Sequence, residues 1–342
     1  MNHSSPTEQR STRAPHQLAR RSHTLFRSWL ALVVALSFVI VPESPAARAV
    51  DVGLYELDGN VTNDATPGVD AEDLRAGSSG AIATTVVDDP VNTSSDIMFQ
   101  AGGGSSTAKD TGDVSDWRWT NKEPGDKLDL IDVLAAQYID PTSGDPFVYI
   151  GATRYDGSGA STLGFWFLQD PLELAPGGRF NSIETGNPAT HIDGDVLIVA
   201  DFGGTNLLDI YRWTAGAPVL QSSTSLSCLA ATATTAACGV SNPTAIASPW
   251  PIEQKGYPSN QIGPEAFVEL GVNLQTTLGS SLGCSQSILA TSRASDSLTA
   301  TLNDLAFASV STCDISITKS GPSGAAAGET VTYAFEISND GI

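Results

Sequence analysis

The stretch "GDVLIVADF" (194–202) decides the fold. Five apolar residues stand in succession between a Gly-Asp turn and a second Asp, with β-branched Val and Ile among them. Apolar side chains on successive positions suit a strand buried on both faces. Outward from it, "LLDIYRW" (207–213), "LGFWFLQD" (163–170) and "PFVYIGATRY" (146–155) have the same character. So do "EAFVELGVNL" (265–274), "QSILATSRA" (286–294) and "ATLNDLAFASV" (300–310). β-Branched and aromatic residues dominate inside these runs, as strands favour. Between them lie "DGSG", "PGG", "DGD", "FGGTN" and "NPT", the Gly, Asp, Asn and Pro chemistry of turns.

The spacing predicts an all-β, two-sheet sandwich of the jelly-roll or laminin-G kind. "DKLDLIDVLAAQYID" (126–140) admits a helix through Leu130, Leu134 and Tyr138, with Asp126, Asp129 and Asp132 on another side. A strand beside "PFVYIGATRY" is the favoured assignment. The polar segments "VTNDATPGVDAED", "AGSSGA" and "AGGGSSTAKD" read as long surface loops around a first strand near "VGLYELDG" (52–59).

Residues 1–49 read as a signal peptide rather than as part of the fold. Arg10, Arg13, Arg20, Arg21 and Arg27 precede the apolar run "WLALVVALSFVIV" (29–41), and Ala47 and Ala49 supply small residues for cleavage. The run is shorter than the roughly 20 residues of a membrane span; an uncleaved anchor is the alternative. Six of the 17 basic and two of the 38 acidic residues lie before position 50, leaving 11 against 36 and a formal charge of −25. Such a surface repels phosphate backbones and anionic lipid, which disfavours nucleic-acid and membrane partners. An extracellular or cell-surface protein is expected, with no transmembrane segment after the leader. Its partner is unidentified, a glycan being one option.

Cys228, Cys238, Cys284 and Cys313 are the four cysteines. An even number in an exported chain reads as disulfides, here favoured as Cys228–Cys238 and Cys284–Cys313. Their spacing is not that of a zinc site.

After Cys313 the character changes. "DISITKSGP" and "ETVTYAFEIS", separated by "SGAAAG", alternate apolar and polar residues as two strands of another module. Asp314 to Lys319, then Gly328, Val331, Thr332, Tyr333, Asn339 and Gly341, resemble the opening of a bacterial immunoglobulin-like surface repeat, the domain of unknown function number eleven. That resemblance divides the chain into a leader (1–49), a sandwich domain (50–313) and a truncated repeat (314–342). The larger region resembles an uncharacterised exported module of actinobacterial surface proteins. "YELDGN" (55–60), "KDTGDVSDWRW" (109–119), "GATRYDGSGASTLGFWFLQD" (151–170) and "HIDGDVLIVADFGG" (191–204) carry the likeness. It implies a laminin-G or concanavalin-like sandwich and surface display, and no activity.

Catalytic chemistry is thin. His191 is the one imidazole after the leader, expected as an exposed turn residue, and no G-x-S-x-G elbow accompanies it. Glu173, Glu184, Glu253, Glu265 and Glu269 are scattered rather than set as the E-x-D-x-x-E of sandwich glucanases. The expectation is a non-catalytic module for display, adhesion or interaction, with a lectin-like module as the alternative and a hydrolase behind it. Calcium is the one cofactor considered: Asp193 and Asp195 flank Gly194, and Asp156 sits in "RYDGSG". "KDTGDVSD" adds Asp110, Asp113 and Asp116. Trp117 and Trp119, at i and i+2, face one side if extended and are the candidate sugar-stacking pair. Trp166 and Trp213 read as core.

Overall fold

Side-chain alternation along each strand builds this protein, and it is visible across residues 54–64, 68–100, 108–228, 235–310 and 315–339, which the computed structural model describes. In chain order the strands begin with β1 (Ala83–Asp88), β2 (Ile97–Phe99), β3 (Trp119–Asn121), β4 (Leu130–Ile139) and β5 (Pro146–Arg154). β6 (Ser161–Leu168), β7 (Leu172–Ala175), β8 (Arg179–Ser182), β9 (Val196–Phe202) and β10 (Leu207–Thr214) follow. Next come β11 (Ala217–Ser225), β12 (Ala237–Ser241), β13 (Ile246–Ala247), β14 (Gln261–Ile262) and β15 (Phe267–Asn273). β16 (Ser287–Arg293), β17 (Leu302–Ser309), β18 (Ile315–Ser320) and β19 (Ala334–Asn339) complete the set.

Two antiparallel sheets face each other. One has five strands in the order β1-β4-β5-β15-β12; the other has eight, β11-β10-β9-β6-β16-β17-β2-β3. On β9, Val196, Ile198 and Ala200 point into the space between the sheets, while Leu197 and Val199 point to the far side. The interior layer adds Val148, Ile150 and Ala152 from β5, Leu163, Phe165 and Phe167 from β6, and Val268, Leu270 and Val272 from β15. Each Val, Leu, Ile or Phe among them contributes about 1.5–3 kcal/mol by leaving water.

The outer faces are covered as well, which is why these strands are apolar on consecutive residues. Tyr55, Leu57, Leu74, Trp250 and Ile252 coat the five-stranded sheet. Phe99, Val114, Trp117 and Phe180 coat the eight-stranded one. Within 126–140, Leu130–Ile139 forms strand β4: Val133 and Ala135 enter the interior, and Leu134, Ala136 and Tyr138 meet the outer coat. A helix would have buried only one stripe of that run.

Cys228 and Cys238 form a disulfide with a Cα–Cα distance of 5.0 Å, closing the passage from β11 to β12. Cys284 is also disulfide-bonded; Cys313, its expected partner, lies outside the described residues. β18 and β19 pair with each other in a two-stranded sheet, Ile317 opposite Ile337. Ile317, Phe335 and Ile337 stay largely exposed. Residues 1–49, expected as a leader, also lie outside the described residues, and among the described ones no helix is long and apolar enough to cross a membrane.

Candidate functional site

A cleft of about 690 Å³ opens at one end of the sandwich. Ser161 and Thr162 at the start of β6 and Ser292 and Arg293 at the end of β16 form one wall; Gly125–Leu128, Asp156 and Lys255 form the other. Lys127, Lys255 and Arg293 are the basic residues of its lining. Lys255 Nζ lies 2.5 Å from Asp126 Oδ2 and 3.2 Å from Asp156 Oδ2, so one ammonium ties two carboxylates at the mouth. Burial works against ionisation of Asp156, but donors from Ser158 and Lys255 outweigh it and hold its pKa at about 2. The same two carboxylates push Lys255 up. Asp156 is a fixed anion at any ordinary pH.

Below the cleft the polar groups turn inward. Arg293 is fully buried within β16, and its room comes from Gly164 on the neighbouring strand, where a Cβ would come within 3.0 Å of Nη1. Nη2 lies 2.6 Å from Asp110 Oδ2, both side chains being 0% exposed. Trp166 Nε1 donates to the other oxygen of Asp110 at 2.9 Å. Burial pushes the Asp110 carboxyl up, against the pull of Arg293. His191 joins this buried layer, contrary to its expected place on an exposed turn. Its ring stacks on Trp213 at 4.0 Å and lies 4.4 Å from Trp166, and Nδ1 is 2.9 Å from Asp195 Oδ2. Three tryptophans around one imidazole give it more contact inside than water offers outside.

The sequence candidates for metal and sugar fall apart spatially. Asp195 is buried and receives the N–H groups of Gln169 (2.9 Å) and Ile192 (3.0 Å) besides His191. Asp193 accepts from Ala215 N at 2.9 Å, closing a turn. Asp156 belongs to the Lys255 bridge, so these three carboxylates form no common ligand set. Trp117 is 0% exposed, and its Nε1 donates to Lys109 O at 3.0 Å. It cannot stack on a sugar from solvent. Just after the 3-10 turn Val114–Asp116, Trp117 packs inward against Phe99 and Trp166, and Trp119 packs onto the same cluster. Trp119 is half-buried on β3 and donates to Arg179 O at 2.8 Å. Trp166 and Trp213 lie in the core as expected.

A carboxylate group unforeseen in the sequence gathers where the chain passes between sheets. Asp89 and Asp96 are the first and last residues of the passage from β1 to β2, and Asp129 ends the passage from β3 to β4. The Asp89 N–H continues the β1–β4 ladder onto Ile131 O at 2.8 Å. Asp304, on β17, pairs with Met98 and so sits beside the start of β2. One carboxylate oxygen each from Asp89, Asp96 and Asp304 lies within 4.8 Å of the others. Burial is the main force lifting these acids, to about 7 at Asp96 and about 6 at Asp129, with neighbouring carboxylates adding to it. Asp89 and Asp304 are raised for the same two reasons. A second acidic group, Glu56, Asp58 and Asp64, is knit by its own loop: Asn60 N and Nδ2 occupy both Asp58 oxygens, and Asp64 N donates to Glu56.

The residues that sequence reasoning passed over carried one legible signal. Arg293 and Asp304 are charges inside otherwise strand-like runs, and a charge there has a partner or a purpose. No protein-family model, curated protein or solved structure matches the chain.

Proposed function

We propose that the chain is an exported, non-catalytic surface module that receives a small polyhydroxylated ligand, of carbohydrate type, in the cleft at the end of its sandwich. One observation carries this reading: the mouth of the cleft presents an acceptor–donor–acceptor row, Asp126, Lys255 and Asp156. Paired hydroxyls of a sugar donate to such carboxylates and accept from such an ammonium. The volume falls within the roughly 300–1,000 Å³ usual for small-ligand sites. Binding is favoured over turnover because both cleft carboxylates are engaged by one lysine, and an acid held at about 2 donates no proton at neutral pH. The leader-like residues 1–49 and the resemblance of the 314–341 segment to a surface repeat support export and display.

Glycan-array screening followed by calorimetric titration tests it. The expected result is a hit with a Kd of about 1 mM or tighter, weakened at least about tenfold, roughly 1.4 kcal/mol, in both Lys255→Ala and Asp156→Asn. A silent array, or affinity unchanged in both variants, removes the proposal.

A further inference from the structure

We propose that Asp89, Asp96 and Asp304, with Asp129 beside them, bind one Ca²⁺ that clamps the two sheets together where the chain crosses between them. This does not rest on a ligand in the cleft.

The first support is geometry. Two oxygens coordinated at about 2.4 Å to one Ca²⁺ can stand no more than about 4.8 Å apart, and the ligand atoms of Asp89, Asp96 and Asp304 fall within that limit. The donors are all hard carboxylate oxygens, with no cysteine or histidine in the group, which selects Ca²⁺ over zinc.

The second support is independent of their clustering. Asp96 is 0% exposed and Asp129 1%, yet Oδ2 of Asp96 and Oδ1 of Asp129 have no hydrogen-bond partner, and neither has Oδ2 of Asp89. Each of these carboxylates spends its other oxygen, or its backbone, on holding position. Asp96 Oδ1 accepts from Ile97 N at 2.6 Å, and Asp129 Oδ2 from Asn92 N at 2.9 Å. Asp304 accepts from Leu130 N at 2.6 Å and Leu305 N at 2.8 Å, one per oxygen, which leaves a lone pair on each. Among the described residues no lysine, arginine or histidine forms an ion pair with any of the four. Buried polar atoms are almost always satisfied, and buried charges are paired or bind metal. Three clustered carboxylates, with unpartnered oxygens on two of them and on Asp129 beside them and no protein cation, call for an external one.

The third support is placement. The passage between edge strands β11 and β12 is closed covalently by Cys228–Cys238. At the opposite edge of the five-stranded sheet, β1 leaves for the other sheet with no disulfide among the described residues, and the carboxylates stand at both ends of that passage. A cation there would do for one edge what the disulfide does for the other.

The test uses the full chain after chelator treatment and dialysis. Metal analysis after equilibration with about 1 mM Ca²⁺ should give one tightly held ion per chain, and melting should rise by several degrees on Ca²⁺ addition. Mg²⁺ at the same concentration should produce a smaller rise, since its shorter bonds and strict octahedron fit this spread of oxygens less well. Asp96→Asn should abolish both effects with an unchanged far-ultraviolet spectrum. Should that variant not fold, the half-buried Asp89→Asn provides the same reading by a loss of at least about tenfold in Ca²⁺ affinity, about 1.4 kcal/mol. Asp64→Asn in the other acidic group should leave binding intact. Wild-type protein that takes up no Ca²⁺, or binding that survives Asp89→Asn and falls with Asp64→Asn, overturns the proposal.

Discussion

The backbone N–H of Leu130, first residue of β4, donates to Oδ2 of Asp304 on β17 at 2.6 Å, so a single buried hydrogen bond joins one sheet to the other. Most sandwich contacts are apolar and non-directional. This one is directional, tying the start of β4 to β17.

Asp304→Ala should therefore cost about 2–5 kcal/mol, because it strands the buried amides of Leu130 and Leu305 together. Urea denaturation in the presence of chelator checks this without any contribution from metal. A loss under about 1 kcal/mol would mean that water or another acceptor replaces the carboxylate.

The Arg293–Asp110 pair should show strong coupling. Arg293→Met leaves a 0% exposed carboxylate without its counter-charge and should destabilise by about 3–5 kcal/mol. Adding Asp110→Asn removes the stranded charge and should recover part of that loss. A double-mutant cycle measures it; additive losses would contradict the pairing.

Glu269 gives the stability a pH dependence. It is fully buried, its Oε1 receiving Gly59 N at 2.7 Å and its Oε2 the hydroxyl of Tyr149 at 3.0 Å. Burial first, and the nearby Asp70 second, raise its pKa well above the ordinary value of 4.5. An acid raised in the folded state binds its proton more tightly folded than unfolded. Its contribution is complete below pH 4.5 and declines as pH rises through the folded value. Wild type should lose stability relative to Glu269→Gln between pH 5 and 8, by up to about 1.4 kcal/mol per unit. Parallel denaturation midpoints for the two proteins across that range would refute it.

Removing the Cys228–Cys238 bridge by paired serine substitution should lower stability by about 2–3 kcal/mol, the loop-closure entropy of a ring spanning a sequence separation of 10. Thermal melting in non-reducing buffer compares the two forms. An unchanged midpoint would indicate that packing of Cys228 and Cys238 in the coat holds that passage unaided.

The strands were legible because each carries its own evidence. "PFVYIGATRY" became Pro146–Arg154 and "LLDIYRW" became Leu207–Thr214 almost residue for residue. Two edge strands were not legible: "ATTVVD" of β1 and "APVLQSSTS" of β11 are short or polar, and take strand form from their neighbours' ladders. The Trp117–Trp119 pair fails as a platform although Trp117 is extended, because Trp117 is wholly buried against Phe99 and Trp166 and Trp119 packs onto the same cluster. In the sequence Asp89 and Asp96 stand outside any strand-like run, while Asp129 and Asp304 stand inside two of them, far apart along the chain. Their convergence depends on Asp304 opposite Met98 and Asp89 beside Ile131, pairings that no local pattern contains.

Coating both faces of both sheets has a kinetic consequence. Amides of β5, β6, β9 and β16 have hydrogen-bonded strands on either side and apolar layers above and below. Solvent catalyst reaches them only when a whole layer lifts, so their exchange reports global opening, while the coats exchange by local fraying. The molecule should thus wear from the outside in, its loops renewing contact with water on timescales that the central strands never share.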